Sequence, residues 1–210
     1  MKLYDSSWAP NPRRVRMFLA EKGIEVDRVQ LDLRRDEQLS DAYLAINPRG
    51  TVPALVLDDG DVITDSVAIC RYFEALHSEM PLFGTDARSI AQIDSWTRRI
   101  ESDGYAAAVY AFRNSKPQME GRGLAGKWPP VPIIPELVTR ATILWGAFAE
   151  QLDHRLSESR WIAGDAFSFA DITGLMTLDF AARAGLAVAD DRIHIARWHC
   201  AMIARPSASA

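Results

Sequence analysis

The chain has 210 residues, a formal net charge of −4, and 48% hydrophobic against 25% charged residues, enough apolar material for one large core or two small ones. Acidic and basic side chains interleave with no basic block, which removes the electrostatic case for nucleic acid. Cys70 and Cys200 fit neither a CxxC nor a zinc-ligand spacing, no run approaches the ~18 apolar residues of a membrane span, and the opening Met1-Lys2-Leu3-Tyr4-Asp5 has no apolar leader, so the expected location is the cytoplasm.

Lys2-Leu3-Tyr4 is a short strand candidate. Asn11 and Pro12 read as a helix start, with asparagine as the cap and proline at the first helical position. Val15, Phe18, Leu19 and Lys22 follow at helical spacing, and Gly23 closes that helix. Glu25 to Leu31 alternates polar and apolar residues, as a second strand does. Leu39 to Ile46 reads as a short helix ended by Asn47-Pro48-Arg49-Gly50. Val52 to Leu57 is a strand running into the turn Asp58-Asp59-Gly60-Asp61, and Val62-Ile63-Thr64 returns from it, which is a hairpin signal. Asp65-Ser66 opens a helix with an apolar stripe of Val67, Cys70, Phe73 and Leu76. The order βαβαββα predicts a mixed sheet with helices packed against it.

His77 to Arg88 contains Pro81 and Gly84, lacks periodicity, and reads as a linker. Beyond it only helical patterns occur. Ile90, Ile93, Thr97 and Ile100 form one stripe; Leu137, Ala141, Leu144, Phe148 and Leu152 form another. Between them Lys116 to Pro135 is rich in glycine and proline, so a long irregular loop is expected there.

Two segments carry chemistry. In Asn47-Pro48-Arg49-Gly50-Thr51-Val52-Pro53-Ala54-Leu55 a proline stands at the entrance of a strand, where it removes a ladder hydrogen bond. Either Pro53 is a trans proline on an edge strand, or the Val52–Pro53 bond is cis and turns the Val52 N–H and C=O outward, where an extended peptide could pair with them. In Thr64-Asp65-Ser66-Val67-Ala68-Ile69 the polar pair is either a plain helix cap or part of an anion site, since unpaired N–H groups and the helix dipole both attract a carboxylate.

Together these segments resemble the glutathione site of glutathione transferases. The resemblance extends over some 200 residues: a strand and helix at the start, NPxGxVPAL, an acidic-Ser pair opening the third helix, then an all-helical domain with Ser168-Phe169-Ala170-Asp171-Ile172 and an ending Arg197-Trp198…Arg205-Pro206-Ser207. The Ser168-x-x-Asp171 box is read as a structural capping box. The resemblance implies a thioredoxin-like glutathione-binding domain over residues 1–77. It also implies an all-helical domain over residues 88–206 with the pocket for a small hydrophobic electrophile. Glutathione would be the co-substrate, no metal is implied, and the chain would form a homodimer.

Residue by residue, the resemblance implies that Val52, ahead of Pro53, pairs with the cysteinyl backbone of glutathione. Asp65 and Ser66 would hold its γ-glutamyl end and Gln38 its glycyl carboxylate. Thr51 stands where the family often has lysine, which leaves the glycyl carboxylate with less positive charge. The thiol-activating group is sought in Asp5-Ser6-Ser7-Trp8-Ala9-Pro10-Asn11: Asn11 is the first candidate, Ser7 the second, and Tyr4 a third. Ala9 falls where a hydroxyl residue is common, and cysteine is absent from the loop. The implied reaction is conjugation of the glutathione thiolate to electrophiles, as in detoxification. The alternatives are glutathione-dependent reduction, isomerisation or dehalogenation, or a non-catalytic protein that keeps the fold. Outside this set, Cys70 reads as a core residue, Arg13, Arg14 and Arg16 as a solvated face, and Tyr105, Tyr110, Phe112 and Arg113 as core or pocket residues of the helical domain.

Overall fold

The computed structural model describes residues 1–210. Its elements are β1 (Lys2–Asp5), α1 (Pro10–Lys22), β2 (Asp27–Gln30), α2 (Asp41–Leu44), β3 (Ala54–Val56), β4 (Val62–Thr64) and α3 (Ser66–Leu76). Five further helices follow: α4 (Ala87–Arg99), α5 (Ala106–Asn114), α6 (Glu136–Glu158), α7 (Phe169–Arg183) and α8 (Ile193–Ile203). The chain divides into two compact units. One comprises Met1–Met80, Leu124–Pro129 and Ser209–Ala210; the other comprises Pro81–Gly123 and Pro130–Ala208.

In the first unit the sheet order is β2-β1-β3-β4, with β1 parallel to β2 and antiparallel to β3, and β3 antiparallel to β4. This is the mixed sheet that the βαβαββα order predicts, in the thioredoxin-like arrangement that the resemblance implies. The β3–β4 hairpin closes where Asp58 to Asp61 predicts it. Leu57 N–H donates to Asp61 O at 2.8 Å, and Gly60 adopts φ +93, a conformation that costs glycine nothing. Leu3 and Leu55 pair across β1 and β3, and with Val15, Phe18, Ile69 and Phe73 they form a core closed to solvent. Each such side chain contributes about 1.5–3 kcal/mol by its removal from water.

Helix α1 begins earlier than the sequence suggests. Its N-cap is Ala9, which makes no side-chain cap, and Pro10 takes the first helical position. Either proline can start a helix, since both have a suitable φ and no N–H to satisfy, and Pro10 comes first. Asn11 is therefore the second residue of the helix and not its cap. The end is as predicted: Gly23 at φ +64 lets Ile24 N–H reach Leu19 O at 2.9 Å. The stretch read as one helix from Leu39 to Ile46 is a 3₁₀ turn (Glu37–Leu39) and then α2, capped by Ser40, whose Oγ accepts from Tyr43 N–H.

The second unit is helical throughout. Asp86 and Ser89 form a capping box that starts α4 at Ala87, inside the stretch read as linker. Ile93, Thr97 and Ile100 face the core as the stripe requires, whereas Ile90 is exposed. A π-helical turn, Ile100–Tyr105, separates α4 from α5. The Ser168–Asp171 box caps α7 as read from the sequence, and it does more. Asp171 Oδ2 accepts from Ser168 N–H (3.0 Å) and Oγ (3.1 Å), while Oδ1 accepts from Ile162 N–H and Trp198 Nε1–H at 2.9 Å each. Burial pushes this carboxyl up to about 6. Helix α8 has no side-chain cap of its own; Asp153 of α6 accepts from His194 and Ile195 N–H instead.

Candidate functional site

Strand β1 ends in the buried Asp5, and the chain then turns through Ser6, Ser7, Trp8 and Ala9 into α1. That turn is held from inside. Arg16 Nη1 lies 2.6 Å from Asp5 Oδ1, Gln30 Nε2 donates to Asp5 Oδ2 at 2.7 Å, and Arg16 also donates to the carbonyls of Ser6 (3.3 Å) and Ser7 (3.0 Å). The expectation of a solvated arginine face fails here. Arg14 is 2% exposed and Arg16 7%; Arg14 donates to the half-buried Asn11 and Arg16 to the buried Asp5. Ser7 itself is exposed. It lines a cleft of about 590 Å³ with Ser6, Trp8, Gln30, Leu31, Asp32, Arg34 and Glu37.

Asn11 is half-buried in the first turn of α1, and its Oδ1 accepts from Arg14 Nη2 at 3.1 Å. This bond turns the amide oxygen toward Arg14 and Nδ2 away from it. Tyr4 packs on Tyr43, with ring centroids 5.5 Å apart, and is half-buried in the sheet.

The second segment is built around Thr51. Its carbonyl accepts from Tyr43 Oη–H (2.6 Å) and Asn47 Nδ2–H (2.7 Å), which fixes the loop that precedes Val52. Burial pushes the Tyr43 hydroxyl up to about 12, so it stays a donor. The Val52–Pro53 bond is cis, resolving the alternative left open by the sequence. No intramolecular hydrogen bond takes the Val52 N–H or C=O, which leaves a short stretch of backbone ahead of β3 that can pair.

The β3–β4 register pairs Ala54 with Thr64, so the residues flanking that pair, Pro53 and Asp65, lie together. Asp65 is the N-cap of α3 and accepts from Val67 N–H (2.8 Å) and Ala68 N–H (3.3 Å). It does so at φ +89 and ψ 128, a conformation that L residues rarely adopt. Ser66 follows as a buried residue in the first turn of α3. The register thus brings an edge backbone, a capping carboxylate and a helix N-terminus together.

Gln38 lies in the 3₁₀ turn, 8% exposed. Its Nε2 donates to Asp36 Oδ1 at 3.3 Å, so the inward group is the acceptor Oε1, which has no partner. An acceptor cannot hold a carboxylate, so the role read for Gln38 needs another chemical partner. Cys70 is buried in α3, and burial pushes its thiol well above the ordinary range, which makes it a core residue. In the second unit Tyr105 and Phe112 pack on Phe180 at 5.8 and 5.2 Å, while Tyr110 is exposed. The Asp5–Arg16 support was missed in the sequence because it joins residues eleven apart with no shared local pattern.

Two family models match the chain: the glutathione S-transferase N-terminal domain over residues 8–76 and the glutathione S-transferase C-terminal domain over residues 146–206. Glutathione S-transferase 2 of Saccharomyces cerevisiae is 33% identical over 213 residues, which span 99% of this chain and 87% of the relative. Maleylacetoacetate isomerase of Pseudomonas aeruginosa is 30% identical over 191 residues, 90% of this chain and 84% of the relative. The crystal structure of a glutathione S-transferase domain-containing protein from Marinobacter aquaeolei VT8 superposes with a TM-score of 0.89 at 32% identity, covering 99% of both chains.

Proposed function

Because the chain belongs to the glutathione transferase superfamily and is a transferase, we propose that it conjugates the glutathione thiolate to small hydrophobic electrophiles, in the manner of a detoxification enzyme. The observation that carries the reading is the unpaired Val52 backbone beside the Asp65-capped N-terminus of α3. It suits an extended peptide with one end that carries both an ammonium and a carboxylate, and glutathione is such a peptide.

In this reading residues 1–77 bind glutathione and residues 88–206 supply the electrophile pocket. The Val52 backbone pairs with the cysteinyl unit, and Pro53 and Thr51 shape that edge. Asp65 faces the γ-glutamyl ammonium. Ser66 donates to the γ-glutamyl carboxylate, aided by the helix dipole. Gln38 serves the glycyl end.

The chemistry needs a thiolate at neutral pH, although a free thiol titrates near 8.5. Asn11 Nδ2–H is the first donor to the sulfur and the Ser7 hydroxyl the second. One such bond to an anion is worth about 1.5–3 kcal/mol, enough to lower the thiol pKa by about one to two units. The thiolate then attacks the electrophilic carbon. A C–S bond forms, and the leaving group departs with the bonding electron pair. The protein acts in the cytoplasm as a homodimer, for which light scattering at micromolar concentration should give twice the chain mass.

The test is calorimetry with glutathione, followed by an assay of thioether formation with an aryl halide. Binding with stoichiometric loss of thiol and release of halide supports conjugation. The relation to maleylacetoacetate isomerase favours one second reading, glutathione-dependent isomerisation. That reaction returns glutathione unchanged, so thiol titration before and after turnover separates the two. Glutathione binding without either activity would leave a non-catalytic binder.

A further inference from the structure

The glycine- and proline-rich stretch between α5 and α6 contains a segment, Leu124–Pro129, that folds with the first unit although its neighbours on both sides belong to the second. It is seated at close quarters. Lys127 N–H donates to Arg49 O at 2.8 Å. Gly126 adopts φ +94, and a Cβ there would lie 2.4 Å from Arg49 O and 2.9 Å from Thr51 Cγ2. Gly50, at φ +60, is the matching half of the seat. A Cβ on it would meet Leu39 Cδ2 at 2.8 Å, Gln38 O at 3.2 Å and Lys127 N at 3.3 Å. Two glycines thus let three segments approach: the 3₁₀ turn with Gln38, the loop before Val52, and the excursion.

This seat is at the end of the Val52 edge away from α3. Pro53 lies beside Asp65, and the chain leaves that point through Val52 and Thr51 to Gly50 and Arg49. An extended peptide on Val52 with its γ-glutamyl end at Asp65 and Ser66 therefore brings its other end here. In glutathione that end has an amide N–H followed by a carboxylate. The seat offers the complementary groups. Gln38 Oε1 is a buried acceptor without a partner. Lys127 and Arg49 are exposed cations that make no ion pair.

Resting on the glutathione reading above, we infer that the 124–129 excursion completes the far end of the site, with Gln38 Oε1 accepting the glycyl N–H and the Lys127 ammonium facing the glycyl carboxylate. The neutral Thr51 needs no charge of its own, because the cation comes from a segment nearly eighty residues on. The long flexible lysine stem suits a carboxylate met at the rim.

The experiment is calorimetry on the full chain with glutathione and with glutathione carrying a glycyl amide, which keeps the N–H and loses the charge. Lys127→Met should weaken glutathione binding about two- to fivefold, the size of an exposed ion pair, and leave the amide unchanged. Lys127→Arg should restore the preference, and raising the salt to 0.5 M should erase it. Gly126→Ala, which displaces the excursion, should reproduce the Lys127→Met pattern, and Gln38→Leu should weaken both ligands alike. Equal losses for both ligands in Lys127→Met, or none for either, would overturn the inference. If the wild-type chain binds no glutathione at all, the parent reading falls with it; if it binds and only the Lys127 pattern is missing, the parent reading stands alone.

Discussion

Asp65 holds a conformation that its side chain makes worthwhile, and replacing it separates three contributions. At φ +89 a residue with a Cβ is strained by about 1–3 kcal/mol. Its carboxylate offsets this by capping α3 through Val67 and Ala68 N–H. Asp65→Ala removes the cap, at about 0.5–2 kcal/mol, and keeps the strain. Asp65→Gly loses only a few tenths for the cap and relieves the strain. The glycine variant should therefore exceed the alanine variant in stability by about 1–3 kcal/mol, although glycine is the poorer helix residue. In a chain of this size that is at least about 2 °C in melting temperature. Asp65→Asn keeps an acceptor for the cap and should unfold close to the wild type. All three variants lose the carboxylate proposed to face the γ-glutamyl ammonium, so glutathione affinity should fall about tenfold in each. Thermal melts and calorimetry on the same preparations decide the matter. Equal stability of the alanine and glycine variants would refute the strain argument, and unchanged affinity would reduce Asp65 to a cap.

Ser66→Ala should weaken glutathione about tenfold or more, through loss of a hydrogen bond to a carboxylate, and unchanged affinity by calorimetry would make Ser66 a helix residue only. Ultraviolet titration of the bound thiolate should show a pKa raised by about one to two units in Asn11→Ala and little change in Ser7→Ala; the reverse pattern hands the role to Ser7. Asp171→Asn should cost about 1–3 kcal/mol in urea unfolding, because an amide turned toward Ser168 sets donor against donor. The folded state also holds the Asp171 proton more tightly than the unfolded chain does. Its contribution to stability therefore grows as pH falls from about 6 toward 4, and that slope should vanish in Asp171→Asn.

Local chemistry made much of this chain legible in its residues. The Asp58–Gly60 hairpin, the Gly23 helix end and the Ser168–Asp171 box are each encoded within a few positions, and each is found where it was read. The Val52–Pro53 edge and the Asp65–Ser66 helix start belong to the same class. What stayed hidden depends on distance along the chain. Two prolines competed to start α1, and nothing local ranks Pro10 above Pro12. The burial of Arg16 depends on Asp5 across the turn, the cap of α8 comes from Asp153 on α6, and the folding of 124–129 with the first unit follows from glycines near Arg49. Gln38 was read as a site residue, but which end of its amide faces inward is decided by Asp36.

The clamp beneath the β1–α1 turn has a dynamic corollary. Asp5 is fully buried and Arg16 nearly so, and the same guanidinium grips two successive carbonyls of the turn. Swinging the turn open gives up both bonds from this charged donor, about 1.5–3 kcal/mol each, so the opened form is populated for less than about one part in a hundred of the time. Backbone amides there should exchange with solvent at rates set by that rare opening, although the segment has no regular secondary structure. Any gating of access to the thiol must therefore come from other parts of the chain, because the segment with Ser7 does not act as a lid.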